Sequence, residues 1–224
     1  MRLAALFSGG KDSTFATYLM EQQGHSVDTL VNIRPSDPHS WVFHTPNLDV
    51  LPLMAEAMGK ELVVAGSVGT EEDDLRALRD VLSRLDVDGV ITGAIASDYQ
   101  WDRINHVCDG LGLRTFSPLW RKDQGLLMDE LVDAGIRAIL VSVSAEGLDR
   151  TWLGREIDAR SLVELRAIAR RRGMNLAGEG GEYETLTIDS PLHHQAMRIV
   201  EQEVATTRDG GSLKVTKAVL EEKK

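Results

Sequence analysis

The feature that most constrains this chain is an apolar run that leads into a glycine-rich loop near its N-terminus. Residues 3–7 (LAALF) are apolar, residues 8–13 (SGGKDS) form the loop, and apolar residues at helical spacing follow. Glycines let the backbone turn tightly after a buried strand and present its N–H groups. Amide donors at the positive end of a helix, together with the charge of Lys11, attract an anion. The sequence therefore predicts a strand, a phosphate-binding loop and a helix, in that order.

The spacing of the loop excludes two other kinds of phosphate-binding loop. A Walker loop needs a leading glycine in the pattern G-x-x-x-x-G-K-[ST], and Ala5 stands at that position. The dinucleotide pattern G-x-G-x-x-G is also absent from these residues. Asp12 adds a carboxylate where a phosphate is expected, which favours a divalent cation between the two groups. We therefore interpret Asp12, placed on a surface loop, as a ligand of Mg²⁺.

The loop resembles the S-G-G-x-D-S loop of the PP-loop ATP pyrophosphatases. That resemblance implies that the loop holds the pyrophosphate of ATP while a substrate attacks the α-phosphate. The residues it assigns to ATP are Ser8, Gly9, Gly10, Lys11, Asp12 and Ser13. The alternative is a glycine-rich turn between a strand and a helix that binds no ligand.

Composition limits the classes of protein to which the chain can belong. Its 224 residues, 42% of them hydrophobic, have room for one α/β domain with a small appendage. A net charge of -10 argues against binding a nucleic-acid backbone. The single cysteine, Cys108, excludes an internal disulfide, and its helical context predicts a core position. With no apolar run of membrane-spanning length and no signal-peptide pattern, we expect a cytoplasmic protein that does not enter a membrane.

Strand-like and helix-like segments alternate along the chain. The predicted strands are residues 3–7, 27–33, 62–65, 90–92, 114–116 and 138–143, and the predicted helices are residues 14–24, 47–58, 70–85, 98–112 and 124–135. This alternation predicts an α/β fold, a parallel sheet with helices on both faces. Ligands of such sheets lie beyond the carboxyl ends of the strands, which assigns Asn32 and Gly93 to the nucleotide. Asn47 and Thr70, the latter with Asp73, are the predicted helix caps.

The C-terminal part of the chain has a different pattern. Residues 197–205 and 212–220 flank Asp209-Gly210-Gly211, which is typical of a β-hairpin. We therefore predict an ATP-binding domain over residues 1–147 and a smaller α+β region over residues 148–224. His193 and His194 follow Pro191 and are interpreted as a surface turn, while His44 is left unassigned.

A second set of motifs carries a more specific resemblance. Residues 93–100 (GAIASDYQ) with Arg103, residues 118–120 (PLW), 152–155 (WLGR) and 178–186 (GEGGEYETL) follow the phosphate loop in order. Together they resemble the diphthine–ammonia ligase family over residues 1–195, which implies an adenine nucleotide alpha hydrolase-like, PP-loop fold. The resemblance implies that substrate is bound by Asp98, Tyr99, Gln100, Arg103, Trp120, Glu179, Gly180, Gly181, Glu182, Tyr183 and Glu184. It implies catalytic roles for Lys11, Asp12 and Glu182.

The family resemblance implies ATP-dependent amidation of diphthine, the modified histidine of elongation factor 2. A carboxylate that attacks the α-phosphate becomes an acyl-adenylate and releases pyrophosphate, and ammonia then displaces AMP. No glutaminase-like domain fits this length, so free ammonia is the expected nitrogen donor, and a homodimer is possible. The alternatives are a PP-loop enzyme acting on tRNA or on a small-molecule carboxylate, and an ATP-binding module without catalysis.

Diphthine, as the resemblance supplies it, carries a quaternary ammonium, which aromatic faces and nearby acids can hold. Five aromatic residues fall inside or beside the motifs, namely Tyr99, Trp101, Trp120, Trp152 and Tyr183. We predict that at least two of them, Tyr99 and Tyr183 first, line one pocket together with a glutamate. The alternative is that each aromatic ring is an ordinary member of the core.

Overall fold

The computed structural model describes residues 1–35, 47–68, 70–207 and 210–223. Two residues named above lie outside these ranges, namely His44 and Asp209 of the predicted hairpin turn. No helix within the described ranges is both long enough and apolar enough to span a lipid bilayer.

The first sheet is parallel and has five strands. They are β1 (Arg2–Leu6), β2 (Ser26–Pro35), β3 (Glu61–Ser67), β4 (Gly89–Ile91) and β5 (Arg114–Phe116), in the order β3-β2-β1-β4-β5. From β1 the chain adds β2 and β3 on one side of the sheet and then β4 and β5 on the other. Ligands of open α/β sheets bind at such a change of direction. The predicted α/β class is confirmed.

Helices cover both faces of this sheet, as predicted. They are α1 (Lys11–Gln22), α2 (Leu51–Met58), α3 (Glu71–Leu82) and α4 (Asp98–Gly110). Leu3 and Ala5 of β1 belong to one buried cluster with Phe15 of α1, while Ala4 belongs to another with Leu78 of α3. Successive side chains of a strand point to opposite faces, so a continuous apolar strand packs against helices on both sides.

The second sheet is antiparallel and contains the rest of the strands. They are β6 (Arg137–Val143), β7 (Tyr183–Asp189), β8 (Ala196–Thr207) and β9 (Gly210–Glu221), in the order β7-β6-β9-β8. Helices α5 (Gln124–Asp133) and α6 (Ala159–Arg172) precede and follow β6. The predicted pairing of the two hairpin strands is confirmed by β8 and β9.

The placement of β6 differs from the sequence-based interpretation. We grouped residues 138–143 with the parallel sheet, whereas β6 pairs antiparallel with β7 and β9. A continuous apolar run shows that a strand is covered on both faces, but it carries no information about the direction of its neighbours. The chain passes from one sheet to the other between residues 116 and 137. The boundary at residues 147 and 148 stays a prediction about folding units.

Two predicted helix caps have different outcomes. Thr70 accepts a hydrogen bond from Asp73 N and begins α3, as predicted. Asn47 was expected to cap a helix, but it adopts a left-handed conformation and gives no cap hydrogen bond. Its amide instead donates to Leu213 O and accepts from Val215 N, both on β9. The Asn47 side chain, which the local sequence predicts as a helix cap, therefore makes a tertiary contact instead.

Candidate active site

A cavity of about 630 Å³ opens at the carboxyl ends of β1, β2 and β4. This volume is typical of sites for small-molecule ligands. The predicted site residues that line it are Ser8, Gly10, Lys11, Asp12, Ser13, Asn32, Gly93, Tyr99, Gln100, Glu179, Gly180, Gly181, Tyr183 and Glu184. Five predicted residues do not line it, namely Gly9, Asp98, Arg103, Trp120 and Glu182. The cavity therefore joins the phosphate loop of the first sheet to the glutamate–glycine loop (residues 178–182) before β7.

The phosphate loop turns sharply between β1 and α1. Gly9 has a φ of +78°, and a Cβ at this position would lie 2.7 Å from Leu51 Cδ2, so a larger residue is excluded twice over. Ser8 and Ser13 join the two ends of the loop through their hydroxyls at 3.2 Å. Helix α1 begins at Lys11, and Gly10, which precedes it, contributes no side-chain cap. The N-terminus of α1 is thereby presented to the cavity.

Lys11 is buried, with only 2% of its surface exposed. Its Nζ donates to Asp12 Oδ2 at 2.7 Å, to Asp12 Oδ1 at 2.9 Å and to Ala177 O at 2.6 Å. Burial alone would lower the pKa of the ammonium, but the charge and hydrogen bonds of Asp12 and the nearby Tyr183 and Glu179 together outweigh burial and raise the pKa. Asp12 lies in the first turn of α1, with 26% of its side chain exposed, and not on a surface loop as expected. The ion pair thus forms part of the cavity wall.

Strand β7 of the second sheet packs directly against the phosphate loop. Thr185 Oγ1 accepts a hydrogen bond from Lys11 N at 3.1 Å, and Thr187 N donates to Gly9 O at 2.8 Å. The Thr187 hydroxyl also bonds to the hydroxyl of Thr14 at 3.1 Å. Neither threonine is among the predicted site residues, although Thr185 lies inside the motif of residues 178–186. Nothing in their local sequence indicates that this strand meets α1.

Asn32 and Gly93 reach the cavity from β2 and from the end of β4. Asn32 is buried and its Nδ2 donates to Phe7 O at 2.8 Å, which links the ends of β1 and β2. A Cβ on Gly93 would lie 2.8 Å from Ser13 N and 2.9 Å from the carbonyl carbon of Asp12. In the structure the absence of a side chain on Gly93 lets the first turn of α1 approach closely, and its contact with the nucleotide stays a prediction.

The glutamate–glycine loop is stabilised by one of its own acids. Glu182 Oε1 accepts from Asn175 N at 2.7 Å and from Asn175 Nδ2 at 2.8 Å, and Oε2 accepts from Gly180 N at 2.7 Å. Partial burial opposes the charged form, but these hydrogen bonds outweigh it and lower the pKa of Glu182. Glu182, a predicted catalytic and substrate-binding residue, does not line the cavity, because the amides of Asn175 and Gly180 have bound its carboxylate.

The other two glutamates of the motif do line the cavity. Glu179 Oε2 accepts from Ala96 N at 3.0 Å, so it connects the second sheet's loop to the segment before α4. Glu184 lies on β7, opposite Ser142 of β6. Glu179 and Glu184 therefore contribute acidic groups to the cavity wall, and their role in binding substrate stays a prediction.

Tyr99 and Tyr183 line the same cavity with Glu179 and Glu184, as the aromatic prediction required. Each ring nevertheless contacts a cation of the protein itself. Arg103 Cζ lies 3.4 Å from the centre of the Tyr99 ring, and Lys11 Nζ lies 5.5 Å from that of Tyr183. The Tyr183 hydroxyl donates to Leu176 O at 2.6 Å, and burial raises its pKa. Both rings line one cavity as predicted, but they are not a vacant aromatic cage.

The remaining aromatic and charged residues lie beside the cavity. Trp101 stacks on Trp120 with ring centres 5.3 Å apart, and Asp98 pairs with Arg121 at 2.8 Å. The Tyr99 hydroxyl donates to Glu71, which raises the pKa of Tyr99. These contacts place the predicted substrate residues Asp98, Arg103 and Trp120 on the surface around α4, outside the cavity wall. Trp152 is also separate, since it is buried with Arg155 over its ring.

Two further residues can be compared with expectation. Cys108 is fully buried, as predicted, and burial raises the pKa of its thiol. His193 was interpreted as part of a surface turn, but only 3% of it is exposed and its Nδ1 lies 2.6 Å from Ser190 Oγ. Burial lowers the pKa of His193 to about 4, so the ring is neutral near pH 7. His194 alone of the pair is exposed.

A structure described as a predicted subunit of a tRNA methyltransferase from Methanocaldococcus jannaschii covers 85% of this chain and 99% of its own. Its TM-score is 0.45 and its sequence identity 15%, and the assignment below does not depend on it.

The sequence relatives are much more similar. Residues 1–115 match the diphthamide synthase N-terminal domain, and residues 123–220 match the diphthamide synthase C-terminal domain. A diphthine–ammonia ligase from Danio rerio is 37% identical over 250 residues, covering 100% of this chain and 98% of that protein. The proteins of the same name from Bos taurus and Homo sapiens are 36% and 35% identical, covering 92% and 91% of this chain and 85% of each relative. The chain belongs to the diphthine–ammonia ligase family.

Proposed function

We propose that this protein is an ATP-dependent ligase that amidates the carboxylate of diphthine on elongation factor 2 with free ammonia. The observation that carries the proposal is the S-G-G-x-D-S loop at the start of α1, facing one cavity with the glutamate–glycine loop. Family membership supplies the substrate, because the relatives are named for diphthine and ammonia. ATP is bound by the first sheet, and the C-terminal region, residues 148–224, contributes to the substrate side.

The phosphate loop has the groups that a triphosphate requires. The first-turn amides of α1 and the helix dipole favour negative charge, and Lys11 adds a full positive charge within the wall. In the reaction these groups neutralise the pyrophosphate that leaves, which is the main electrostatic task of phosphoryl transfer.

Asp12 fits the role of Mg²⁺ ligand. Its carboxylate is a hard oxygen donor that lines the cavity at the N-terminus of α1. Within the described ranges no group of three or more acidic, histidine or cysteine side chains could form a metal cage. Mg²⁺ at nucleotide sites is typically held by one or two carboxylates and the phosphates, so Asp12 with ATP is a sufficient set. The metal would screen the charge of the phosphates.

The proposed reaction has two steps. A carboxylate oxygen of diphthine forms a bond to the α-phosphorus, and the bond from that phosphorus to the bridging oxygen breaks and releases pyrophosphate. The nitrogen of ammonia then bonds to the acyl carbon, the acyl–oxygen bond breaks, and AMP leaves as one proton is released. Glu179 and Glu184 line the same cavity as Lys11, so they lie on the side where the acyl group and the ammonia would meet.

The proposal is tested with ATP, Mg²⁺, ammonium and elongation factor 2 that carries diphthine. We expect AMP and pyrophosphate in equal amounts, with conversion of the acid to the amide seen by mass spectrometry. The matched control is elongation factor 2 with an unmodified target histidine, which should yield neither product. Release of ADP and phosphate would contradict α–β cleavage, and ATP binding without AMP release would favour the non-catalytic module. The homodimer, the cytoplasmic location and the lack of nucleic-acid binding stay predictions.

A further inference from the structure

The first amide of α1 is capped by a side chain from the other sheet. Lys11 N donates to Thr185 Oγ1 at 3.1 Å, across 174 residues of sequence. The first amides of a helix have no partner inside the helix, so they bind caps, water or anions. Gly10 offers no side chain for this purpose. A hydroxyl of β7 therefore occupies a donor that the phosphate loop would otherwise present to an anion.

Contacts of β7 with Gly9 and with Gly10 hold the Thr185 hydroxyl in place. Thr187 N donates to Gly9 O at 2.8 Å, so β7 is hydrogen-bonded to the phosphate loop two residues further along. A Cβ on Gly10 would lie 3.4 Å from both the carbonyl oxygen and Oγ1 of Thr185. The strand thus lies flush against the loop, and Thr185 lines the cavity beside Ser8 and Lys11.

A hydroxyl that accepts a hydrogen bond still has a proton to donate. Among the hydrogen bonds between residues that the structure describes, the Thr185 hydroxyl accepts from Lys11 N and donates to none. Its proton is therefore available on the cavity side of the α1 N-terminus. A phosphate oxygen placed there by the loop is an acceptor for it, and hydrogen bonds to charged acceptors are stronger than neutral ones.

We propose that Thr185 is a nucleotide-binding residue. Its hydroxyl accepts a hydrogen bond from the Lys11 amide and donates one to a phosphate oxygen in the pyrophosphate part of ATP. The inference rests on the proposed use of ATP and assigns part of the phosphate site to the second sheet. The phosphate loop of the first sheet is complete only when β7 is packed against it.

The test compares Thr185→Val, which removes the hydroxyl and keeps the shape, with Thr185→Ser, which keeps the hydroxyl. Thr115→Val, on β5 and outside the cavity lining, is the matched control. Binding of ATP, pyrophosphate and AMP to each variant is measured by calorimetry in the presence of Mg²⁺. We expect Thr185→Val to weaken the binding of ATP and of pyrophosphate about tenfold and to leave the affinity for AMP unchanged. The affinities of Thr185→Ser and Thr115→Val should be near those of the wild type.

Two results would overturn the assignment. One is wild-type affinity of Thr185→Val for pyrophosphate, and the other is an equal loss for AMP and pyrophosphate, which would indicate a general distortion of the site. If Thr185→Val does not fold, Thr185→Ala is measured with the same expectation. Failure of the wild-type protein to bind ATP would instead reject the proposed function, so the two failures are distinguishable.

Discussion

The phosphate loop and the glutamate–glycine loop share one cavity but are stabilised in different ways. The phosphate loop depends on contacts from elsewhere: Thr185 and Thr187 of β7 bond to it, and Lys11 Nζ bonds to Ala177 O. The glutamate–glycine loop has an internal bond, from Gly180 N to Glu182, beside bonds from residues outside it. Those outside donors are Asn175 N, the Ser144 hydroxyl and Ala96 N. We therefore expect changes in the phosphate loop to affect the packing of β7, and a change at Glu182 to affect mainly the loop that contains it.

The charged residues of the two loops also have different roles. Lys11 and Asp12 are buried or half-buried and paired, so each contributes to stability as well as to the site. Of the three glutamates in the other loop and its strand, Glu182 stabilises the loop while Glu179 and Glu184 line the cavity. Residues that look equivalent in a motif thus have different tasks, and the difference follows from which donors lie within reach.

The largest effect is expected from Asp12→Ala in the phosphate loop. The substitution leaves the ammonium of Lys11 buried without its carboxylate, and it removes the proposed Mg²⁺ ligand. We expect the free energy of unfolding to fall by about 3 kcal/mol, the lower end for breaking a buried pair, because Asp12 is partly exposed. Turnover to AMP should fall to near background. Urea denaturation and an AMP assay measure the two effects.

The matched control for this prediction is Asp86→Ala, which breaks the exposed pair between Asp86 and Arg2. That change should leave stability nearly unaltered, because exposed ion pairs contribute little. Equal stability of Asp12→Ala and wild type would show that the phosphate loop does not depend on the buried pair.

The second-largest effect is expected from His193, which follows the C-terminal end of β7. The pKa of His193 is lowered to about 4 by burial, below an unfolded value of about 6.5. The unfolded chain therefore binds a proton first as pH falls, and stability is lost between about pH 6.5 and pH 4. We expect this residue to contribute about 2–3 kcal/mol of destabilisation at pH 4.5 relative to pH 7.5. Denaturation at both pH values measures it.

The variant His193→Gln should lose this part of the pH dependence, whatever its stability at pH 7.5. His194→Gln, a change in the exposed neighbour, should keep it. The same pH dependence in wild type and His193→Gln would contradict the assignment of a buried neutral ring at this end of β7.

A smaller effect is expected in the glutamate–glycine loop. Glu182→Gln keeps one acceptor oxygen but loses the charge that binds the amides of Asn175 and Gly180, so stability should fall by about 1 kcal/mol. This corresponds to a melting temperature lower by about 2–4 °C in a chain of this length. The KM for ATP should not change. Thermal unfolding and steady-state kinetics measure both values.

Glu179→Gln is the companion variant, because Glu179 lines the cavity. It should reduce turnover more than Glu182→Gln does and lower the melting temperature less. The reverse ranking would return Glu182 to the catalytic role that the family resemblance implied.

The smallest effect is expected from Tyr99→Leu, at the cavity mouth between the two loops. Arg103 already lies over the ring, so the ring has little left to offer a substrate cation. We expect the KM for diphthine-bearing elongation factor 2 to rise less than about fivefold, because an exposed cation–π contact is worth about 0.5–1 kcal/mol. A tenfold or larger rise of this KM in Tyr99→Leu, with no rise in Trp120→Leu, would support the aromatic cage after all.

Much of the fold follows from local sequence. The apolar runs, the glycines and the periodicity predicted all five strands of the parallel sheet, the helices between them and the final hairpin, because these features depend on neighbouring residues. The phosphate loop was predicted for the same reason. The position of Asn32 and Gly93 at the cavity then followed from the rule that parallel strands present their carboxyl ends at one edge.

What local sequence could not supply are contacts between distant residues. The direction of β6, the partner of Asn47 and the burial of His193 each depend on elements far away in the chain. A motif such as residues 178–186 identified the second wall of the cavity, yet it could not distinguish Glu182 from Glu179.

By itself, the sequence determined an α/β chain with an anion site at the first helix and a family-specific second motif. Only the tertiary structure decided that β7 packs against the phosphate loop and places Thr185 on the amide of Lys11. The physical reason is that strand and helix patterns arise from neighbouring residues. A hydrogen bond across 174 residues exists only after both sheets have packed.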